Sequence, residues 1–222
     1  DTEVARIMQK YELEAIPVVD ETNRVVGRIT IDDIVDVIKE EADRDYQMAA
    51  GISQDVEADD SIWELTKARL PWLLLALGGS FIAVNVSQSF SDAMEKYKIL
   101  FFFTPLIAAM AGNVGVQSSA IIVQGLANNS LTGSLWKRLM KEMLLSLFNS
   151  TILAVILLFG THFLMNTSYE LSFTIGTALV IVMIIASLIG TFIPILLDKY
   201  GIDPALATGP FITTSNDIFG IF

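Results

Sequence analysis

The chain has 222 residues, 53% of them hydrophobic, with a mean hydropathy of +0.56 and a formal net charge of -11. That apolar content excludes an ordinary soluble domain of this length, and the lack of cysteine excludes a disulfide framework and a thiolate metal site. The charge is uneven: residues 1–60 hold 17 Asp/Glu against 6 Lys/Arg, whereas 61–222 hold 8 of each sign, so an acidic, water-facing front precedes a neutral apolar remainder and suits cations rather than nucleic acid.

In chain order, the opening "DTEVARIMQKYELE" is charged, with no secretory signal pattern and no initiating Met. The last apolar run stops at Phe222 without a flanking polar residue, and the sequence is expected to be a cut fragment. Residues 15–20 form an apolar run that predicts a strand, Asn23 sits in a polar turn, and β-branched 25–31 predicts a second strand. Asp32 and Asp33 then cap a helix with Ile34, Val35 and Ile38 on its inner face. "DVEADDSIWELTKARLPWLLLALGG" leads from an acidic patch through a polar connecting helix, about Asp59 to Arg69, into the first apolar segment.

Five apolar segments follow, each near the roughly 20 residues that cross a hydrocarbon core. They run about Leu70–Phe90, Ile99–Ala127, Leu139–Asn166, Leu171–Leu197 and Pro204 to the end. Pro105, Gly112, Gly115 and Pro194 offer sites of irregularity in the two long ones. With a cytosolic front, the inner flanks carry Lys67, Arg69, Lys137, Arg138, Lys141 and Lys199 and the outer loops only Lys96 and Lys98. That asymmetry predicts N-terminus in, C-terminus out.

Polar residues inside these segments mark the site. In the last, Leu206, Pro210, Thr213 and Asp217 recur at helical spacing with Gly209 and Asn216 beside them. A carboxylate at membrane depth costs roughly 2.5–3.5 kcal/mol on insertion scales and faces a cavity or a partner. No intramembrane Lys or Arg is available to Asp217, which points it to a pore. In the second segment Asn113, Gln117, Ala120 and Gln124 share one face, read either as pore lining or as hydrogen-bonding glue between helices. Ala111, Gly115 and Ser119 share another, at the small-residue spacing that lets helices approach closely, and this face is expected to serve dimerisation. His162 has no second His or nearby carboxylate in sequence and reads as structural. Trp63, Trp72 and Trp136 read as interfacial anchors.

"AIPVVDE" and "VVGRITIDD" resemble the second half of a CBS domain, a βαββα module. Joined to "AGNVGVQSSA" and "GIDPALATGPFITTSNDIFG", they make almost the whole chain resemble the MgtE family of magnesium channels and their eukaryotic solute-carrier relatives. The resemblance implies an α-helical membrane protein with five transmembrane helices per subunit, preceded by a partial α+β CBS module (1–50) and an acidic linker with a connecting plug helix (51–69). The pore domain would cover 70–222. It implies no enzyme, but a homodimeric pore in the bacterial cytoplasmic membrane, N-terminus cytosolic, conducting Mg2+ down its gradient.

By position, Asp217 would bind Mg2+ from both subunits with the backbone carbonyl of Thr213, Leu206 and Gly209 would form the gate, and Asn113, Gln117 and Asn216 would line the path. Sensing Mg2+ ions would sit among Asp36, Glu40, Asp43, Asp59, Asp60 and Glu64, with Asp203 at the pore mouth. A nucleotide site of the CBS type would use Thr30, Asp32 or Asp33 and is not expected in a partial module. The chain departs from the family in carrying Val116 where a second Asn is common and Gly209 where the gate is often polar.

Two carboxylates brought together on a two-fold axis suit an ion that prefers six oxygens and gives up water reluctantly. Hard-oxygen chemistry leaves Mn2+ or Co2+ as the alternative cargo. An intramembrane aspartyl protease would need a second carboxylate near Asp217, and Asp203 lies about four turns away.

Overall fold

The computed structural model describes residues 2–53, 55–128, 130–131, 133–207 and 209–221. Two compact units divide at Gln47/Met48.

The first unit holds α1 (Thr2–Tyr11), β1 (Ala15–Val19), β2 (Val25–Thr30) and most of α2 (Ile31–Ala49). The strands form an antiparallel hairpin pairing Ala15 with Thr30, with a bulge between Val18 and Val19. The turn closes because Asn23 takes a left-handed φ of 58° and the Asp20 carboxylate accepts from the amides of Thr22 and Arg24. Helix α2 starts directly from β2: Asp33 Oδ2 accepts from the Thr30 amide at 2.8 Å and its hydroxyl at 2.7 Å, satisfying groups a helix start leaves open. Ile34 is buried as expected, whereas Val35 and Ile38 are exposed.

The second unit is helical. Ser61 and Glu64 make a reciprocal capping box that starts α3 (Ile62–Ser89), a helix that runs through Pro71 without interruption. The expected connecting helix, about 59–69, runs on into the first apolar segment without a break: residues 62–69 are the first turns of the first long helix. After α4 (Ser91–Lys96) come α5 (Lys98–Ala127), α6 (Leu135–Phe159) with a π-helical turn at Gly160–Leu164, and α7 (Tyr169–Lys199). Pro105 and Pro194 do not interrupt α5 or α7. The irregularity lies at Gly160 instead.

Among the described residues, four helices, at Ile62–Ser89, Lys98–Ala127, Leu135–Leu164 and Tyr169–Lys199, are long and apolar enough to cross a membrane. The final stretch is divided into a 3-10 turn (Pro204–Ala207) and the 12-residue α8 (Pro210–Ile221), so Leu206 does not share a helix with Thr213 and Asp217.

Helix α5 is central, packing on α7 and α8, with α6 on α7 and α3 on α8. Phe103, Ile107 and Ala111 of α5 meet Ile175, Leu179, Met183 and Ala186 of α7 in the main core. The Ser146 hydroxyl of α6 donates to the Met183 carbonyl at 3.0 Å, tying α6 to the same helix. Large apolar side chains such as Leu73, Phe81, Phe148, Ile156 and Phe173 remain exposed, the surface a bilayer would cover.

The small-residue face does bring helices close, but within the chain. A Cβ on Gly190 would lie 3.1 Å from the Gly115 Cα and carbonyl carbon, so α5 and α7 cross backbone to backbone. On the same face Asn216 of α8 packs against Gly115, and Ala111 and Ser119 are fully buried. The expected dimerising role of this face is corrected accordingly, because its own helices occupy it.

Candidate ion-binding site

Helix α8 begins at Pro210, where the missing N–H costs nothing in a first helical turn. The amides of Ile212 and Thr213 bond the Gly209 carbonyl at 3.1 and 3.3 Å. Ile212 and Asn216 are fully buried against α5. Thr213 lies on the next face and lines an open groove of about 400 Å³ between α8 and α5, with Gly112, Asn113, Val116 and Gln117 on the opposite wall. Asp217 follows Thr213 by one turn in α8; its side chain lies outside the described residues.

Asn113 and Gln117 stand exposed on a ridge of α5. The same two amides line a second groove of about 320 Å³ toward α6 and α7, where Asn149 joins them. Val116, the departure from the family pattern, faces the first groove. Asn149, followed by Ser150 and Thr151, gave no sign in the sequence that it would face this groove.

Asn216 is not a groove residue. It has no exposed surface, and its side-chain nitrogen donates to the Ala111 carbonyl of α5 at 3.2 Å. The expectation that it lines the path is corrected: adjacent residues on a helix point about 100° apart, and Asn216 takes the core side.

At the entrance to α8, Asp203 Oδ1 accepts from the Ala205 amide at 2.9 Å and fixes the 3-10 turn that carries half-buried Leu206. A Cβ on Gly209 would come within 2.6 Å of the Ala49 carbonyl oxygen and 3.2 Å of the Gly51 nitrogen. Gly51, at φ 80°, turns the chain there, and Ser53 bonds the Ala68 carbonyl through its amide (3.1 Å) and hydroxyl (3.0 Å). Residues 49–53 are thus strapped between the start of the first long helix and Gly209, one of the two predicted gate positions.

The predicted sensing carboxylates are divided between the two units. Asp36, Glu40 and Asp43 are exposed on α2 in the first unit, while Asp59, Asp60, Glu64 and Asp203 belong to the second. Asp60 accepts from the Glu57 amide at 2.8 Å, and Glu64 is engaged in the cap of α3. Among the described residues no group of three or more His, Asp or Glu is arranged to hold a metal ion. Thr30 and Asp33, the CBS-type nucleotide candidates, are bonded to each other. The Thr30 amide first, and its hydroxyl second, hold the Asp33 carboxyl below its ordinary value of 3.8. His162 bonds the Thr167 carbonyl through Nδ1 at 2.8 Å and stacks on Tyr169 at 3.6 Å, in keeping with a structural reading.

A carboxylate that the sequence reading passed over lies near the start of α6. Glu142 of α6, half-buried, accepts from the Ser118 hydroxyl of α5 at 2.5 Å. It follows Lys137, Arg138 and Lys141, where a charged residue reads as part of a basic flank.

These features define a multi-pass membrane protein with a small α+β module ahead of its helices and a polar groove beside the last helix. The sequence profile described as "MgtE: Divalent cation transporter" matches residues 104–222, and that of the CBS domain matches residues 2–40. The chain belongs to the MgtE family of divalent cation transporters. It is similar to proteins named "Magnesium transporter MgtE": 37% identical over 220 residues in Bacillus subtilis and 34% over 222 in Enterococcus faecalis. Identity to the Thermus thermophilus protein of the same name is 32% over 222 residues. Each similarity covers 99% of this chain but 49%, 48% and 49% of those proteins, so the chain spans about half the length of the curated relatives it matches.

Proposed function

We propose that this chain supplies the ion pathway of a magnesium transporter. Two copies line the pathway about a two-fold axis, Mg2+ passes down its electrochemical gradient, and Asp217 is the residue that holds it. The observation that carries this reading is the groove between α5 and α8, where Thr213 faces Asn113 and Gln117 one helical turn from Asp217. Relatives named as magnesium transporters support the choice of ion.

An amide-lined groove with a carboxylate one turn away offers oxygens to a hydrated cation without stripping all its water, which binds an ion firmly enough to select it and loosely enough to release it. The membrane potential supplies roughly 2.3 kcal/mol per charge per 100 mV, so downhill flow needs no chemical step. In this reading the Pro204–Phe222 stretch completes a fifth crossing from each subunit, the protein lies in the cytoplasmic membrane with its acidic front in the cytosol, and the CBS module binds no nucleotide.

Gating belongs to the same proposal. Leu206 and Gly209 form the inner constriction, and residues 49–51 against Gly209 link it to the helix that leaves the CBS hairpin. Cytosolic Mg2+ held among Asp36, Glu40, Asp43, Asp59, Asp60, Glu64 and Asp203 would draw these carboxylates together and shut the path, because unneutralised they repel one another.

The test is Mg2+ uptake into liposomes by Asp217→Asn. Uptake is expected to fall to background while the protein stays folded and oligomeric. Undiminished uptake would sink the assignment, and competition by Mn2+ and Co2+ against Mg2+ in the same assay decides the cargo.

A further inference from the structure

Asn216 immediately precedes the proposed ion ligand, yet it faces away from the groove. Its side chain is fully buried and donates to the Ala111 carbonyl at 3.2 Å. Room for it exists only because residue 115 is glycine: a Cβ there would overlap Asn216 Nδ2 and lie 2.9 Å from Cγ2 of Ile212, itself fully buried one turn earlier. Gly190 of α7 lies against the backbone of the same glycine, so α5 is held there by a second helix as well. Helix α8 is therefore keyed into α5 by Ile212 and Asn216 at a single glycine.

The identity of the key carries the inference. Asn216 Oδ1 is buried with no hydrogen-bond partner among the described residues. An orphaned buried acceptor is costly, and an apolar side chain of similar size would fill the socket without that cost. What the amide supplies and leucine cannot is a bond to one particular carbonyl, which exists at a single rotation of the helix. An apolar contact tolerates a range of rotations, whereas a buried polar group specifies one register. Because 212 and 216 share one face and 213 and 217 the next, about 100° away, the rotation that satisfies Asn216 also sets where positions 213 and 217 stand.

We propose that Asn216 is a positioning residue for ion passage: its amide, bonded to Ala111 and housed by Gly115, fixes the rotation of the last helix so that positions 213 and 217 stay on the groove side. The inference deepens the reading of Asp217 as ion ligand and rests on it.

The experiment uses Asn216→Leu in the intact protein, with Mg2+ flux into liposomes, thermal unfolding, and thiol labelling of Thr213→Cys as readouts. This chain has no cysteine, so that thiol is the only one in it. Asn216→Leu is expected to keep or raise the unfolding midpoint. Labelling of Thr213→Cys by a hydrophilic reagent should slow, and Mg2+ flux should drop, by roughly threefold to tenfold, the equilibrium value of one hydrogen bond. A second arm compares Gly115→Ala with Gly115→Ala/Asn216→Ala. Shortening residue 216 removes the overlap with the amide and leaves only the 2.9 Å approach to the flexible end of Ile212, so the double variant is expected to conduct better than the single one.

Unchanged flux and labelling in Asn216→Leu would overturn the inference, as would lost flux with unchanged labelling, since the amide would then act other than through rotation. If Asp217→Asn conducts normally, the ion-site reading fails on its own, whereas the labelling arm still reports whether Asn216 sets the rotation.

Discussion

Replacing Gly190 by alanine tests the crossing that holds the groove together. The added methyl would stand 3.1 Å from two backbone atoms of Gly115 and nearer still to its carbonyl oxygen, with no flexible side chain to give way. The helices must separate by several tenths of an ångström to about 1 Å, and a gap of that size forfeits roughly a quarter to a half of each dispersion contact along the seam. Phe103, Ile107, Ala111, Leu179, Met183 and Ala186 all lie on that seam. Overpacking of this kind costs about 1–3 kcal/mol.

Gly176 on the same helix is the internal control. A methyl there meets Ala154 at 3.5–3.6 Å, an ordinary contact, and Gly→Ala inside a helix gains roughly 0.5–1 kcal/mol. Thermal unfolding in detergent, followed by tryptophan fluorescence, should lower the midpoint of Gly190→Ala by several degrees, at about 2–4 °C per kcal/mol for a chain of this size, and leave Gly176→Ala level or raised. Equal midpoints for the two variants would show that α5 and α7 do not meet at Gly115 and Gly190, and the socket for Asn216 would fall with them.

Gly209→Ala would push the Ala49–Gly51 strap away from the proposed gate. The cytosolic Mg2+ concentration giving half-inhibition of flux is expected to rise roughly fivefold or more, the effect of about 1 kcal/mol on a two-state equilibrium, and an unaltered inhibition curve would remove the strap from the gate. Asp33→Ala should destabilise the N-terminal unit in a pH-dependent way. Thr30 lowers the folded-state value of this carboxyl below 3.8, so its contribution is present above the unfolded value and is lost as pH falls through the lowered folded value. Unfolding midpoints of the two chains should therefore converge on acidification, and a constant difference across the series would refute the pairing.

The hairpin and the long apolar helices were legible because each rests on local signals. Apolar runs bounded by a polar turn gave β1 and β2 to within a residue, and hydropathy gave the first four spans. What escaped depended on three-dimensional neighbours or on punctuation overridden by periodicity. Leu206, Pro210, Thr213 and Asp217 keep helical spacing in the sequence, yet Gly209-Pro210 starts a new helix and leaves Leu206 in a separate turn. The polar turns from Ile62 to Arg69 read as leading into the first apolar segment, and nothing between Arg69 and Pro71 stops a helix whose proline falls where neighbours can absorb it. Adjacency to Asp217 suggested that Asn216 shares its role, while a helix separates the two by more than a quarter turn. Glu142 acquires meaning only through Ser118, 24 residues earlier and on another helix.

The π-helical turn at Gly160–Leu164 has a consequence for the phase of the third long helix. Up to that point its inward residues recur regularly, through Ser146, Ser150, Leu153, Leu157 and Thr161. At its end the pattern slips: Leu164 is 85% exposed and the C-cap Met165 51%, while Thr167, in the loop that follows, is buried. A π turn accommodates one residue more than the α-helix around it, and one residue turns everything downstream by about 100°. The π turn is the last turn of this helix, capped by Met165, so single-residue insertions or deletions between Phe159 and Asn166 can be taken up there without disturbing the seam with α7. A chain shortened by one residue at Gly160 would run as plain α-helix and carry Leu164 toward the face that Thr161 now closes.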